Sequence, residues 1–191
     1  MGYKFNTRNQ LDLAIDSWIN NQDSAAAKYG YIDYWDVSGI TDFSNLFRDL
    51  RIAVVDVPPY FDEDLSSWDV SSGTDFSAMF SGAIYFQSDI SNWDVSAGTD
   101  FGWMFNGAKL FDQDIGGWDV SSGNDFRYMF AAADAFEQDI TNWQVSDTAD
   151  LTGMFSSADL MKSKFGFSRT PTSAEFNQIR ITDRNSLDTA I

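Results

Sequence analysis

A 25-residue period constrains this chain more than any other feature. The stretch Trp68-Asp69-Val70-Ser71, then Thr74-Asp75-Phe76, then Met79-Phe80 returns at Trp93, Trp118 and Trp143, each 25 residues on, and a first copy begins at Trp35. Three residues before each Trp stands an aliphatic (Ile32, Leu65, Ile90, Ile115, Ile140), and two residues after it a Val (Val37, Val70, Val95, Val120, Val145). Eight residues after it comes Phe43, Phe76, Phe101, Phe126 or Leu151. Leu46-Phe47, Met79-Phe80, Met104-Phe105, Met129-Phe130 and Met154-Phe155 follow at three and four further on. A unit this short cannot bury its Trp, Phe and Met alone, so the copies must stack, like residue against like.

The spacing within each copy predicts its local structure. In aliphatic-x-x-Trp-x-Val the Trp and Val fall on one face of a short strand. The i, i+3, i+4 run after it, extended by Leu50, Ala83, Ala108, Ala133 and Ala158 at i+7, reads as one face of a short helix. The preceding Asp (Asp42, Asp75, Asp100, Asp125, Asp150) suits a helix N-cap. The strand segment matches the L-x-x-L-x-L pattern with Trp in the second Leu place. The expected fold is therefore α/β: a leucine-rich-repeat-like solenoid of about five 25-residue strand-turn-helix coils, with neighbouring strands about 4.8 Å apart.

Caps flank the array. Residues 1–30 read as an N-terminal helical cap. In it Thr7 and Gln10 fit a capping box, and Leu11, Ala14, Ile15 and Trp18 form one apolar stripe. Residues 31–161 are the repeats. Residues 162–191 read as a C-terminal cap and tail, with Thr172 and Glu175 as a second capping box. From Trp35 to Trp68 the interval is 33 residues, which places an insertion at about 49–60. Its Ile52-Ala53-Val54-Val55 followed by Pro58-Pro59 reads as an apolar excursion and a rigid turn.

Composition restricts the chemistry. There is no Cys and no His, which removes disulfides, thiolate metal sites, a Cys nucleophile and the commonest general base. The formal net charge of −17 repels phosphate backbones and anionic membranes, so nucleic-acid binding is not expected. No apolar run approaches the ~18 residues of a membrane span, and no charged-then-apolar leader is visible. Stacked Asp columns, among them Asp69, Asp94 and Asp119, repel one another unless hydrogen-bonded or bridged by a cation. The expectation is that each serves its own turn, so no cofactor is expected. Calcium on those three carboxylates is the sharper alternative, although no D-x-[DN]-x-[DN]-G loop supports it. Equivalent, repeated carboxylates also provide no distinct acid and base, so an enzyme is not expected. A Thr41, Thr74, Thr99 column broken by Asn124 and Ala149 argues against ice binding.

Binding is better sought where the repeat symmetry fails. Ten residues after the Trp the series runs Asn45, Ala78, Trp103, Tyr128, Gly153, a position facing away from the apolar stripe. Trp103 and Tyr128, with Arg127 beside them, are therefore expected on the surface as a contact for a protein or a glycan. Ile52, Val54 and Val55 of the insertion are the second candidate contact.

The motif W-D-V-S-x-x-T-D-F-x-x-M-F, with I-S-x-W before it, resembles the tandem repeat of BspA-like bacterial surface proteins, a Mycoplasma-type domain of unknown function. The resemblance runs from about Asn6 to Met161 and includes Tyr29-Gly30-Tyr31-Ile32. It implies display at a cell surface or outside the cell, adhesion or interaction, and no catalytic residues. Family members usually carry Val where this chain has Gly73, Gly98 and Gly123, and often Met where it has Phe76, Phe101 and Phe126. A small turn residue beside a larger ring is read as an exchange of volume.

Overall fold

A computed structural model describes residues 2–49 and 61–176. Two helices open the chain, α1 (Arg8–Asn20) and α2 (Gln22–Tyr29), and α3 (Asp159–Phe165) follows the repeats. The capping box at the start of α1 forms in a shifted version: Thr7 Oγ1 accepts from the Gln10 amide, while Gln10 Oε1 accepts from the Asn6 amide. Leu11, Ala14, Ile15 and Trp18 are all buried on one side of α1. Asn21 caps α2 by accepting from the Ser24 amide, and Gly30, at φ 77°, turns the chain out of it. A single 3-10 turn, Ile32–Tyr34, leads to the first repeat Trp.

The repeats do stack, but not as strand-turn-helix coils, and the chain is not a leucine-rich-repeat-like α/β solenoid. Among the described residues between Trp35 and Ala158 there is no helix, and β pairing is limited to isolated bridges, Lys4 with Asp36 and the series Asp42, Asp75, Asp100, Asp125, Asp150. Backbone amides explain why. In a helix the Phe105 N–H would reach the Phe101 carbonyl, four residues back. Here it donates to Met129 O of the next repeat at 2.9 Å, as Phe101 does to Asp125 O, Trp103 to Arg127 O and Gly107 to Ala131 O. The residues between close local turns instead: Met104 N–H to Phe101 O, Asn106 to Trp103 O, Ala108 to Phe105 O. Alternate amides therefore hold the neighbour, and the rest make a string of overlapping β-turns.

Overlapping turns satisfy the same i, i+3, i+4 burial that a helix would, which is why spacing alone suggested one. The turns from Phe101 to Met104 and from Phe105 to Ala108 each need a positive φ at their third residue, as type II turns do. That residue is Trp103 at 56° in the first and Gly107 at 69° in the second. The same two places are left-handed in the other repeats, at Asn45, Ala78, Tyr128 and Gly153, and at Asp49, Gly82, Ala132 and Ser157. The expected strand is likewise a turn, closed from the Trp93 N–H to Ile90 O and by its equivalents at Trp68, Trp118 and Trp143.

The core is a set of columns. Phe76, Phe101 and Phe126 stack at 5.6 and 5.4 Å between ring centroids, and Phe80, Phe105 and Phe130 at 5.7 Å with rings within 10° of parallel. Phe86, Phe111 and Phe136 form a third column at 6.0 and 5.8 Å. These spacings exceed the strand spacing of about 4.8 Å expected of a sheet. Each repeat Trp lies in the core yet keeps its N–H satisfied. Trp93 Nε1 donates to Leu65 O, Trp118 to Ile90 O and Trp143 to Ile115 O, one repeat back. Trp thus ties successive repeats together at the position that mere bulk would not explain.

Both ends are covered. Arg8 of α1 donates to Asp42 Oδ1, Asp42 O and Ser44 O of the first repeat, while the Phe5 N–H donates to Asp36 O and the Asp36 N–H to Tyr3 O. At the far end Phe155 N–H finds Arg169 O, the Gly153 N–H finds Thr170 Oγ1, and Phe167 packs against Phe155 at 5.0 Å with the rings tilted by 34°. Glu175 closes onto Thr172 and accepts from the Ser168 amide.

Candidate functional site

Six of the seven tryptophans are buried, and the seventh, Trp103, is 37% exposed. Its position is the third residue of a turn that needs φ > 0, where Gly or Asn is the undemanding choice, as at Gly153 and Asn45. Trp and Tyr in the left-handed region cost about 1–2 kcal/mol each relative to glycine. Trp103 and Tyr128 stack face to face, 5.6 Å between centroids and 17° apart in plane. Tyr128 is half-buried rather than fully exposed because its ring lies on Gly153, where an added Cβ would come 2.4 Å from Cε1.

Arg127 completes the face. Its Cζ sits 5.0 Å from the centre of the Trp103 ring, close enough for cation–π attraction. Asp125 fixes it: Nη2 is 2.5 Å from Asp125 Oδ2, Nε is 3.0 and 2.9 Å from the two carboxylate oxygens, and Asp150 Oδ2 lies 3.5 Å from Nε. The Asp125 carboxylate holds the guanidinium still more firmly in its charged form. Trp103, Tyr128 and Arg127 are thus one aromatic–cation patch spanning two repeats. Ile52, Val54 and Val55, the other candidate contacts, lie outside the described residues.

The Asp columns are occupied by their own backbone. Asp69, Asp94 and Asp119 each accept at Oδ1 from the amide of Ser71, Ser96 or Ser121 two residues on. Those Ser contacts hold the Asp94 and Asp119 carboxyls below the ordinary range. The Asp64, Asp89, Asp114 and Asp139 column does the same with Ser66, Ser91, Gly116 and Thr141. The supposed helix caps are Asx turns too, Asp75 to Ser77, Asp100 to Gly102 and Asp150 to Thr152. In this last column Asp100 differs: burial, then the neighbouring Asp125 and Asp75 charges, raise its pKa against the Gly102 N–H and Arg127. Among the described residues no group of three or more His, Cys, Asp or Glu is placed to hold a metal ion. Thr74 and Thr99 turn their hydroxyls inward on the stack, onto Thr41 O and Thr74 O.

One feature lies where the spacing drew no attention. Tyr3, Tyr29, Tyr31 and Tyr34 surround an open cleft of about 640 Å³ beside Lys28 at the N-terminal end. Tyr29, Tyr31 and Tyr34 lie close together in sequence, and Tyr3 joins them because residues 3–5 pair with Asp36. The Tyr-Gly-Tyr at 29–31 was the available clue.

Among the described residues no helix is long and apolar enough to cross a membrane. Fold and surface together define a tandem-repeat protein built from stacked turns, closed at both ends, with an aromatic patch that the repeats do not require. The family model described as Mycoplasma protein of unknown function, DUF285, matches residues 14–100 and 49–167, and the chain belongs to that family. No curated protein and no solved structure matches it.

Proposed function

We propose that the chain is a non-catalytic interaction module that presents a rigid face of stacked repeats to a protein or glycan partner, with Trp103, Tyr128 and Arg127 as the contact. The observation that carries this reading is the aromatic pair in left-handed backbone. Every repeat needs φ > 0 there, yet two neighbouring copies bear the bulkiest side chains, stacked and partly exposed. Strain held in place by a well-packed surround is a recognised mark of a functional surface. Preorganised aromatics beside an Arg are also the side chains that dominate binding energies. Apart from Asp100, the repeated Asp residues serve equivalent turns of their own, which favours binding over catalysis. Resemblance of the repeat to BspA-like surface proteins supports display at a cell surface, with adhesion as the role.

A glycan and protein array probed with the wild-type chain, with and without calcium, tests this directly. Trp103→Ser/Tyr128→Ser is expected to lose at least about tenfold in affinity for the ligands found. Its melting temperature should stay at or above that of the wild type, because a strained, partly exposed pair is removed. Undiminished binding to every such ligand would sink the proposal, and binding that needs calcium would redirect it to the Asp columns.

A further inference from the structure

We propose that the tyrosine cleft at the N-terminal end is a second binding site, for a saccharide that bears a carboxylate. It is separate from the Trp103 patch and does not depend on it. Its walls are preorganised. Tyr3 stands edge-on to Tyr29 at 5.0 Å and 89°, and Tyr31 is backed by Trp18 at 6.4 Å and 75°. The Trp35 indole N–H holds the carbonyl of Gly30 at 3.0 Å, fixing the loop between the rings. Gly2 lies flush on the backbone of Tyr34, where any Cβ would collide with the Tyr34 carbonyl.

The chemistry of the lining selects the ligand. Tyr31 and Tyr34 are each 66% exposed and Tyr3 39%, so the cleft offers accessible tyrosine surface, both aromatic and phenolic. A sugar ring presents C–H bonds on one face and hydroxyls at its edge, and matches both kinds of surface. A purely apolar ligand would leave the hydroxyls of Tyr31 and Tyr34 covered without partners. The volume of about 640 Å³ falls within the roughly 300–1,000 Å³ of small-ligand sites.

Charge adds the carboxylate. The chain carries 29 acidic against 12 basic residues, yet among the described residues no Asp or Glu lines this cleft. Lys28 Nζ stands 4.6 Å over the Tyr29 ring, and no acidic residue among those described forms an ion pair with it. The Tyr29 hydroxyl beside it further favours its charged form. One ammonium suits one carboxylate. A polyphosphate or nucleic acid would meet, among the described residues, one Lys on a body of net charge −17.

Calorimetric titration of the full chain with sialyllactose and with a glucuronyl-glucose disaccharide, the first against its neutral methyl ester and the second against cellobiose, tests the assignment. At least one acidic sugar is expected to bind about tenfold more tightly than its neutral partner. Lys28→Gln should reduce the acidic sugar to the neutral level and leave the neutral one unchanged. Tyr31→Ala/Tyr34→Ala should abolish both while the chain keeps its folded circular-dichroism spectrum. Equal affinity for acidic and neutral sugars, no binding of any of the four, or indifference to Lys28→Gln would overturn the proposal. A concentration-dependent dimer dispersed by Tyr31→Ala would also overturn it, since the cleft would then belong to a second copy of the chain.

Discussion

Gly123 and Phe126 share one space. A Cβ on Gly123 would stand 2.3 Å from Phe126 Cζ and 2.7 Å from Cε2, and the same ring fills the same gap at Gly73 and Gly98, at 2.4 Å. The glycine is needed there for room, since its backbone is not left-handed. Where the resembling family puts Val and then Met, this chain puts nothing and then a ring that stacks with its neighbours. Gly123→Val is therefore expected to destabilise the fold by about 1–3 kcal/mol through overpacking. Adding Phe126→Met should recover part of the loss, giving a coupling of at least about 1 kcal/mol in a urea-unfolding cycle. Strictly additive effects would mean that the two positions do not exchange volume.

At the scale of the element, the repeat is a string of turns held by Asp side chains, and this gives it an acid-sensitive term. Ser66, Ser91, Ser96, Ser121 and Thr152 hold the carboxyls of Asp64, Asp89, Asp94, Asp119 and Asp150 below their ordinary pKa. A pKa depressed on folding contributes stability that is complete above the unfolded value of about 4 and is lost as pH falls through the folded value. Asp100, raised, has the opposite sign and is relieved by acid. Asp94→Ala/Asp119→Ala should accordingly lose stability at pH 7, and the gap to wild type should narrow below about pH 4. A gap that widens on acidification would contradict the Asx-turn role.

The same turns mark how far the sequence could be read. α1 was legible because its capping box and stripe are local and strong. The columns were legible because strict phase forces like onto like, and Trp103 stood out because it breaks that phase. What the spacing could not tell was whether i, i+3, i+4 means a helix. That depends on where the alternate amides go, and their partners are 24 residues away, as Phe105 and Met129 show. The left-handed backbone at Trp103 was hidden for a related reason, since only Asn45 and Gly153 in its column hinted at it. The tyrosine cleft depends on a pairing of Phe5 with Asp36 that no periodicity announces.

For the whole molecule, stability rests on register between repeats. Backbone amides, Trp indoles and Phe columns all run from one copy to the next, and Arg8 at one end and Phe167 at the other close what would be open edges. The interaction face inherits its rigidity from that stack, since Trp103 and Tyr128 meet only because their repeats are in phase. Through-hydrogen-bond scalar couplings in the isotope-labelled protein test this most directly. The Phe105 amide nitrogen should couple to the carbonyl carbon of Met129, and those of Phe80 and Phe130 to Met104 and Met154. A coupling from the Phe105 amide to the Phe101 carbonyl in its place would mean that the repeat is helical after all, and would contradict the stacked-turn account.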